Sequence, residues 1–303
     1  DGSILIYPEG DKSVAPSAKM PAAGFFFDAL NRQGQIVEEE LDPKDNLEEF
    51  KLLTEDDLKH WEMEAERLRS KNKGVIASFG GTALGDIALV PAMHLKNPKG
   101  LRDVAEWYMS LLMRRDYIHK VFEKQTEIAL QNLESLHKVT DDVVDAVFIC
   151  GTDFGTQDSQ FCSLEDFNEL YAPYYKRIND WIHKNTRWKT FKHSCGSVEP
   201  FMKAFIDSGF DIINPVQINA AGMDPVHLKK EYGDHIVFWG GGADTQITLP
   251  FGKPEEVKEQ VKHNCEIFSE NGGFVFNVVH NIQANVPIEN VIAMMEILEE
   301  TNS

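Results

Sequence analysis

The sequence predicts an α/β fold, a (β/α)8 barrel of the TIM type, on three observations. Short apolar runs alternate with amphipathic helical stretches from about residue 75 onward, which makes about six strand–helix units in a row. The runs are nearly continuous in Val, Ile and Phe, as in parallel strands that are buried on both faces. Polar residues follow nearly every run, as expected for side chains that gather at one mouth of a barrel.

A doubly wound sheet shares this alternation of strands and helices. We favour the barrel because neither GxGxxG nor GxxxxGK[ST] follows the first of these runs, so the usual phosphate-binding loop of a nucleotide fold is missing. Six units fall short of the eight that a barrel needs. The chain opens at Asp1 without an initiator Met and enters a strand-like run almost at once. We therefore expect that N-terminal sequence belonging to the barrel is missing.

The first 45 residues are expected to form a hairpin and turn region that packs on the barrel, and residues 46–303 the barrel itself. Residues 3–7 and 24–28 are predicted strands, and the three Phe residues at 25–27 are expected in the core. Thr54, with Asp57 three positions later, resembles a capping box. It predicts a helix that runs to about residue 71.

The barrel elements then follow in alternation. The predicted strands are residues 75–81, 146–151, 190–196, 211–215, 236–242 and 273–280. The predicted helices are residues 100–138 with a break near 115, 163–183, 198–206, a helix that begins after 224, 254–269 and 287–299. Ser163 and Asp224 are the expected N-caps, and Pro225, Pro254 and Pro287 stand where a first helical turn tolerates proline.

Composition excludes several classes of partner. The formal net charge is −19, and the densest basic spot is the pair Arg114–Arg115, so a nucleic-acid partner is not expected. No apolar run approaches the roughly 20 residues that span a bilayer, so no membrane partner is expected. The four cysteines form no CxxC pattern, and a reducing, cytoplasmic location is therefore the default.

The strongest candidate site is the pair His193 and Cys195 near the end of the predicted strand 190–196. Residues two apart in a strand point to the same face, so the imidazole and the thiol should lie together. Zinc takes both ligand types, and a catalytic zinc keeps one position open. His280, at the end of another predicted strand, is a possible third ligand. A buried Cys beside a hydrogen-bonded core His explains the pair about equally well.

Other polar residues at the predicted strand ends complete the candidate site. Besides metal binding, His280 could act as an acid or base, or donate a hydrogen bond to a substrate. Asp153 and Asp158 could bind substrate or hold a ligating His in one tautomer, and the alternative for each is a loop or cap carboxylate. The predicted catalytic residues are His280 and Asp153. The predicted substrate-binding residues are Gln157, Asp158, Asn214, Gln217, Gly241, Asp244 and Asn277.

Four segments closely resemble the uroporphyrinogen decarboxylase superfamily, over most of residues 45–300. They are FKHSCG at 191–196, IINPVQ at 212–217, FWGGG at 238–242 and NVVHNIQANVPIEN at 277–290, and residues 164–175 also fit. The resemblance implies a single (β/α)8 barrel. It also implies one of two functions, because the superfamily contains true uroporphyrinogen decarboxylases and corrinoid-dependent methyltransferases such as those of the methylcobalamin:coenzyme M type.

His193 and Cys195 look like the H-x-C zinc pair of these methyltransferases, which the true decarboxylases lack at this place. The methyltransferases add a later Cys, whereas this chain has His280 in that stretch, as in the decarboxylase pattern. The resemblance therefore implies a zinc held by His193 and Cys195, with His280 as the expected third ligand.

We expect a zinc-dependent methyltransferase that moves a methyl group between a small thiol, methoxy or methylated compound and a corrinoid. The corrinoid would be methylcobalamin or belong to a separate protein. The rival enzyme is a decarboxylase of a porphyrinogen or another carboxylated substrate. Uroporphyrinogen carries eight carboxylates, so its binding site should contain basic side chains. The predicted strand ends contain no Arg or Lys. A metal-storing or corrinoid-binding module without catalysis is the third possibility.

Overall fold

A computed structural model describes residues 2–301. The chain divides into two compact units. Unit 1 contains the chain up to Thr152 together with Glu165–Trp188, and unit 2 contains Asp153–Leu164 and the chain from Lys189 onward. This division differs from the expected boundary at residue 45, which stays a prediction.

Unit 1 begins with a three-stranded antiparallel sheet in the order β1-β2-β3. Its strands are β1 (Ile4–Ile6), β2 (Ala18–Met20) and β3 (Asp28–Ala29). The first predicted strand is confirmed, but the prediction of a strand with core Phe residues at 24–28 is wrong. The Gly24 N–H donates to the Pro21 carbonyl at 2.8 Å and makes a turn there. The three Phe side chains that follow this turn are exposed.

The rest of unit 1 is mainly helical. Its elements are α1 (Glu55–Arg69), β4 (Ile76–Ala77), α2 (Val104–Met113), α3 (Arg115–Thr140), β5 (Ala146–Cys150), α4 (Leu164–Leu170) and α5 (Ala172–Asn185). Strands β4 and β5 are parallel. The capping box before α1 is confirmed, because Thr54 and Asp57 bond each other's backbone N–H groups. The predicted break in the long helix falls at Arg114.

Unit 2 contains four parallel strands in the order β6-β7-β8-β9, with helices between them. The strands are β6 (Lys189–His193), β7 (Ile212–Asn214), β8 (Val237–Trp239) and β9 (Phe274–Val275). The helices are α6 (Met202–Asp207), α7 (Pro225–Tyr232), α8 (Thr248–Phe251), α9 (Pro254–Ser269) and α10 (Ile288–Thr301). The predicted α/β class with parallel strands is confirmed.

Helices α8, α9 and α10 bury one continuous apolar cluster in unit 2. Its fully buried members include Leu249, Val257 and Val261, and Met294 and Ile297 join them from α10. Burial of each of these side chains contributes about 1.5–3 kcal/mol. This cluster packs the helices that follow β8 and β9 against one another.

The strands end earlier than the apolar pattern predicts. Strand β6 stops at His193 rather than 196, and β9 stops at Val275 rather than 280. Gly196 has φ +85°, a left-handed conformation that a continuing strand does not allow. The candidate residues beyond these points therefore lie on turns at the carboxyl ends of the strands. In residues 2–301, no helix has both the length and the apolar character needed to cross a membrane.

Two glycines let two loops of unit 2 cross at backbone distance. A Cβ on Gly196 would lie 2.4 Å from the backbone C and O atoms of Gly155, and one on Gly155 would lie 2.6 Å from the Ser197 nitrogen. The Ser197 N–H donates to the Thr156 carbonyl at 2.7 Å across the same crossing. This contact sets the distance between the loop after Thr152 and the turn after β6.

Gly196→Ala is expected to lower the free energy of unfolding by about 2–4 kcal/mol, because it adds left-handed strain to a backbone clash. Chemical denaturation measures this loss. Gly34→Ala is the control, since a Cβ there meets nothing within 4 Å. A Gly196→Ala protein as stable as the wild type would contradict the role of this crossing.

Candidate metal centre

His193 and Cys195 bring their side chains together at the end of β6. The Cys195 Sγ atom lies 3.4 Å from the His193 Nε2 atom, so the predicted convergence of imidazole and thiol is confirmed. The backbone explains it: His193 is the last strand residue, and the chain bends only at Gly196 and Ser197, after Cys195. The buried Ser194 hydroxyl accepts from the Phe154 N–H at 2.9 Å, while the Ser194 N–H donates to the Asn214 carbonyl at 2.7 Å.

Asp153 supplies a third donor group beside this pair. One donor atom each from Asp153, His193 and Cys195 lies within 4.8 Å of the other two. The Cys195 N–H donates to Asp153 Oδ1 at 2.7 Å, which fixes the carboxylate at the turn. The sequence predicts Asp153 as catalytic and His280 as the third ligand. His280 is exposed and lies outside this group of three, so its ligand role stays a prediction.

Asn214 orients the His193 ring. Its Nδ2 donates to the Trp239 carbonyl at 2.8 Å, and this bond fixes which way the amide faces. The Oδ1 atom consequently faces His193 Nδ1, 2.7 Å away. Because an amide oxygen only accepts, Nδ1 carries the proton and Nε2 presents its lone pair beside the Cys195 sulfur. Such a partner is what metal-binding histidines usually have.

Burial keeps both ligand candidates uncharged in the absence of a cation. Burial, together with the charge of Asp153 and a hydrogen bond to it, raises the pKa of Cys195 to about 12. Burial also lowers the pKa of His193, against the opposing effects of Asn214 and Asp153. A neutral thiol and a neutral imidazole are therefore expected at pH 7. A bound divalent cation would replace the thiol proton.

Lys192 places a buried ammonium group next to the site. Its side chain is 0% exposed, and Nζ donates to the His193 carbonyl at 2.7 Å. The Nζ atom also lies 4.9 Å from the centre of the Phe154 ring and 5.5 Å from that of Phe205, which are cation–π distances. Its positive charge lowers the pKa of Cys195, against the larger effect of burial.

The three donors fit zinc. A tetrahedral zinc with bonds of about 2.3 Å to sulfur and about 2.1 Å to nitrogen separates those two atoms by about 3.6 Å. The observed separation between Cys195 Sγ and His193 Nε2 is 3.4 Å. One thiolate, one imidazole and one carboxylate are all common zinc ligands, and three protein ligands leave a fourth position for substrate.

Two cavities open beside the donors, with volumes of about 380 Å³ and about 590 Å³. The smaller is lined by His193, Asn214, Pro215, Asn277, Val278, Val279, His280, Asn281 and Ile282. The larger is lined by Asp153, Cys195, Gln217, Thr245, Gln246, Pro250, Phe251, His280, Asn281, Gln283 and Asn285. Among these described residues none is Lys or Arg, in agreement with the cation-free strand ends seen in the sequence.

Several predicted substrate-binding residues lie at this place. Gln217 lines the larger cavity, and its Oε1 accepts from the Gly196 N–H. Asp244 is buried, and its Oδ1 accepts from the Gln246 N–H at 2.7 Å and from Asn219 at 3.2 Å. Gln157 donates to the Asn219 carbonyl at 2.9 Å. Asp244 and Gln157 thus support the wall of the cavity through Gln246 and Asn219.

The remaining predicted residues have other surroundings. Asn277 lines the smaller cavity, and Asn214 lines it while both its amide groups bond other residues. The Gly241 carbonyl accepts from Asn264 at 2.9 Å within the core. Asp158 is exposed in a turn. Their roles in substrate binding stay predictions.

Three features of the site had no clear sequence signal. Asp153 is one of two acidic residues in the loop after β5, and only the glycine crossing brings it to Cys195. Lys192 stands in an apolar run where its charge gives no hint of a buried partner. The cavity amides Asn281 and Gln283 stand in the segment that resembles the superfamily, but nothing in their spacing marks a wall.

A family model described as uroporphyrinogen decarboxylase (URO-D) matches residues 28–301. Uroporphyrinogen decarboxylases from Pseudoalteromonas atlantica and Mannheimia succiniciproducens are 23% and 26% identical to the chain over 203 and 201 residues. These matches cover 61% of this chain and 53% of each relative, so the chain spans about half of their length.

A solved methyltransferase from Methanosarcina mazei has a similar fold, with a TM-score of 0.54 at 15% identity. The similarity covers 81% of this chain and 64% of that protein. Together with the parallel strands of both units, it supports the predicted barrel class. The match to the family model extends over most of the sequence, and the chain therefore belongs to the uroporphyrinogen decarboxylase (URO-D) family.

Proposed function

We propose that this chain is a zinc-dependent methyltransferase that moves a methyl group between a small substrate and a corrinoid. The observation that carries the proposal is the group of Asp153, His193 and Cys195, whose donor atoms lie within 4.8 Å of one another. A thiolate in this set selects zinc over magnesium or calcium. The corrinoid is either free methylcobalamin or the cofactor of a separate corrinoid protein.

The residues of the site have distinct tasks in this proposal. His193, Cys195 and Asp153 hold the zinc, which when bound polarises a thiol or an ether oxygen. Asn214 keeps the His193 lone pair directed at the metal position. His280 lines both cavities, and in this proposal its imidazole accepts the proton of an incoming thiol or returns one to a departing alkoxide.

Decarboxylation is the second candidate, because two bacterial relatives are named uroporphyrinogen decarboxylases. A substrate with several carboxylates would need basic groups to balance them. The described walls of both cavities contain no Lys or Arg, and Asp153 adds a negative charge. This electrostatic mismatch, together with the thiol donor, supports methyl transfer over decarboxylation.

Methyl transfer can be tested by following the cobalt spectrum. Zinc-loaded protein is incubated with methylcobalamin and small thiols, or with cob(I)alamin and methoxylated compounds. We expect conversion of methylcobalamin to cob(I)alamin, or the reverse, at a rate at least tenfold above that of protein stripped of zinc. Absence of conversion, combined with release of CO2 from a carboxylated tetrapyrrole, would favour the decarboxylase.

Cys195→Ser is expected to reduce bound zinc from about one ion per chain to a small fraction, because zinc loses its softest ligand. Metal analysis after dialysis against a weak chelator measures this. Cys162→Ser is the matched control, since Cys162 is a half-buried thiol outside the donor group and should leave the zinc content unchanged. Stoichiometric zinc in the Cys195→Ser protein would overturn the assignment.

Asn214→Leu is expected to weaken zinc binding by about 10–100-fold, because His193 loses the acceptor that fixes its tautomer. Asn214→Asp keeps an acceptor at the same place and should remain within about threefold of wild type. Competition with a chromophoric chelator gives both affinities. Equal losses in the two variants would mean that the bond from Asn214 to the Trp239 carbonyl matters instead.

A further inference from the structure

Helix α10 has an apolar stripe that the described part of the chain leaves exposed. Its members Ile288, Ile292 and Met295 are 65%, 51% and 50% exposed. Because they are spaced by four and then three residues, they lie side by side along one face of the helix. Single exposed apolar side chains are ordinary on a protein surface, but three adjacent ones on one helix indicate a contact surface. We call these three residues the α10 stripe.

The opposite face of α10 already has its partners within unit 2. Met294 and Ile297 are buried in the apolar cluster with α8 and α9. The buried Asn290 side chain donates to the carbonyls of Leu249 and Gly252, at 2.8 Å in each case. The helix therefore cannot rotate to bury the α10 stripe without losing these contacts. Only a second molecule can cover the stripe while this packing is kept.

The charged side chains of α10 are all negative. The helix contains four glutamates and no Lys, Arg or His. Helical spacing places Glu289, Glu296 and Glu300 along one flank of the stripe, and Glu299 at its C-terminal end. Lys258 of α9 bonds Glu296 at 2.6 Å, whereas the Glu289 carboxylate forms no hydrogen bond or ion pair within residues 2–301. The stripe is therefore apolar along its length and acidic along one side.

This combination restricts the partner. Glutamates beside the stripe disfavour an anionic lipid surface. A second copy is also disfavoured, because the acidic flanks face each other in an antiparallel twofold pair and the two Glu299 side chains meet in a parallel one. A helix with apolar side chains at the same spacing and Lys or Arg along one flank covers the stripe and complements the glutamates.

We propose that the α10 stripe is a docking surface for an amphipathic helix of another protein that carries Lys or Arg along one flank. Burial of Ile288, Ile292 and Met295 supplies most of the affinity, since ion pairs exposed to solvent contribute little. The glutamates select the basic partner and speed its association. This interaction needs neither the zinc nor the methyl transfer of the proposed function.

Three labelled synthetic peptides of about 20 residues test the surface by fluorescence anisotropy. The basic peptide has Leu at the spacing of the stripe and Lys along one flank, and the acidic peptide has Glu in place of Lys. The scrambled peptide keeps the basic composition but distributes Leu around the helix. We expect the basic peptide to bind about tenfold more tightly than either of the others.

Two results with these peptides would overturn the inference. Equal binding of the basic and scrambled peptides would mean that only the net charge of −19 attracts them. Absence of saturable binding of the basic peptide up to about 1 mM would mean that the stripe is no docking surface.

A substitution within the stripe locates the binding. Ile292→Asn is expected to weaken binding of the basic peptide about tenfold, because a polar amide replaces the central apolar contact. Met63→Asn is the matched control, since Met63 is 64% exposed on α1 and should change binding less than about twofold. Equal binding by the two variants, at unchanged melting temperature, would contradict the proposal.

A charge reversal tests the flank. Glu289→Lys is expected to weaken binding of the basic peptide about threefold and to strengthen binding of the acidic peptide. Glu62→Lys changes the net charge equally at an exposed position on α1, and should do neither. The same response in both variants would mean that overall charge, and not the flank of α10, selects the peptide.

Two further measurements distinguish other occupants of the stripe. A dimer in sedimentation experiments that Ile292→Asn dissociates and Met63→Asn does not would assign the stripe to a second copy. Cosedimentation with phosphatidylcholine vesicles that depends on Ile292 in the same way would assign it to a membrane surface. Either result would overturn the proposed helical partner.

Discussion

The candidate site depends on one backbone contact, the crossing of Gly155 and Gly196. Side chains at either position would collide with the other loop, so the two loops reach each other only as glycines. The crossing lets the Cys195 N–H reach Asp153 Oδ1 at 2.7 Å and the Gly196 N–H reach Gln217. A carboxylate from one loop, a thiol from another and an amide from a third thereby converge without any long side chain.

Asn214 and Gln217 give this arrangement its directionality. The side-chain amide of Asn214 donates to the Trp239 carbonyl, and that of Gln217 accepts from the Gly196 N–H. The other end of each amide faces the site. Backbone groups cannot exchange donor for acceptor, so the two amides cannot flip without losing a bond. One amide thereby fixes an imidazole tautomer and the other fixes a donor in the cavity.

Local patterns predicted the elements well, because burial on two faces and helix caps leave clear signals in the sequence. The approach of His193 to Cys195 followed from a spacing of two residues. The position of Asp153 beside this pair did not follow from spacing. It comes from a loop crossing that joins Asp153 to Cys195, about 40 residues later in the chain. The prediction that the Phe side chains at 25–27 are buried failed for a related reason, since they are exposed. Apolar content predicts burial only where another element covers the side chain.

Lys192 has a consequence for the charge of the whole centre. A divalent cation bound as proposed would be balanced by the thiolate of Cys195 and the carboxylate of Asp153, so the donor set with its metal would be neutral. The Lys192 ammonium, buried under the Phe154 and Phe205 rings, adds a positive charge that solvent screens poorly. In the proposed metal-bound state the centre would then have a net charge of about +1. A thiolate as the fourth ligand would restore neutrality, whereas a neutral ether would leave the positive charge unbalanced.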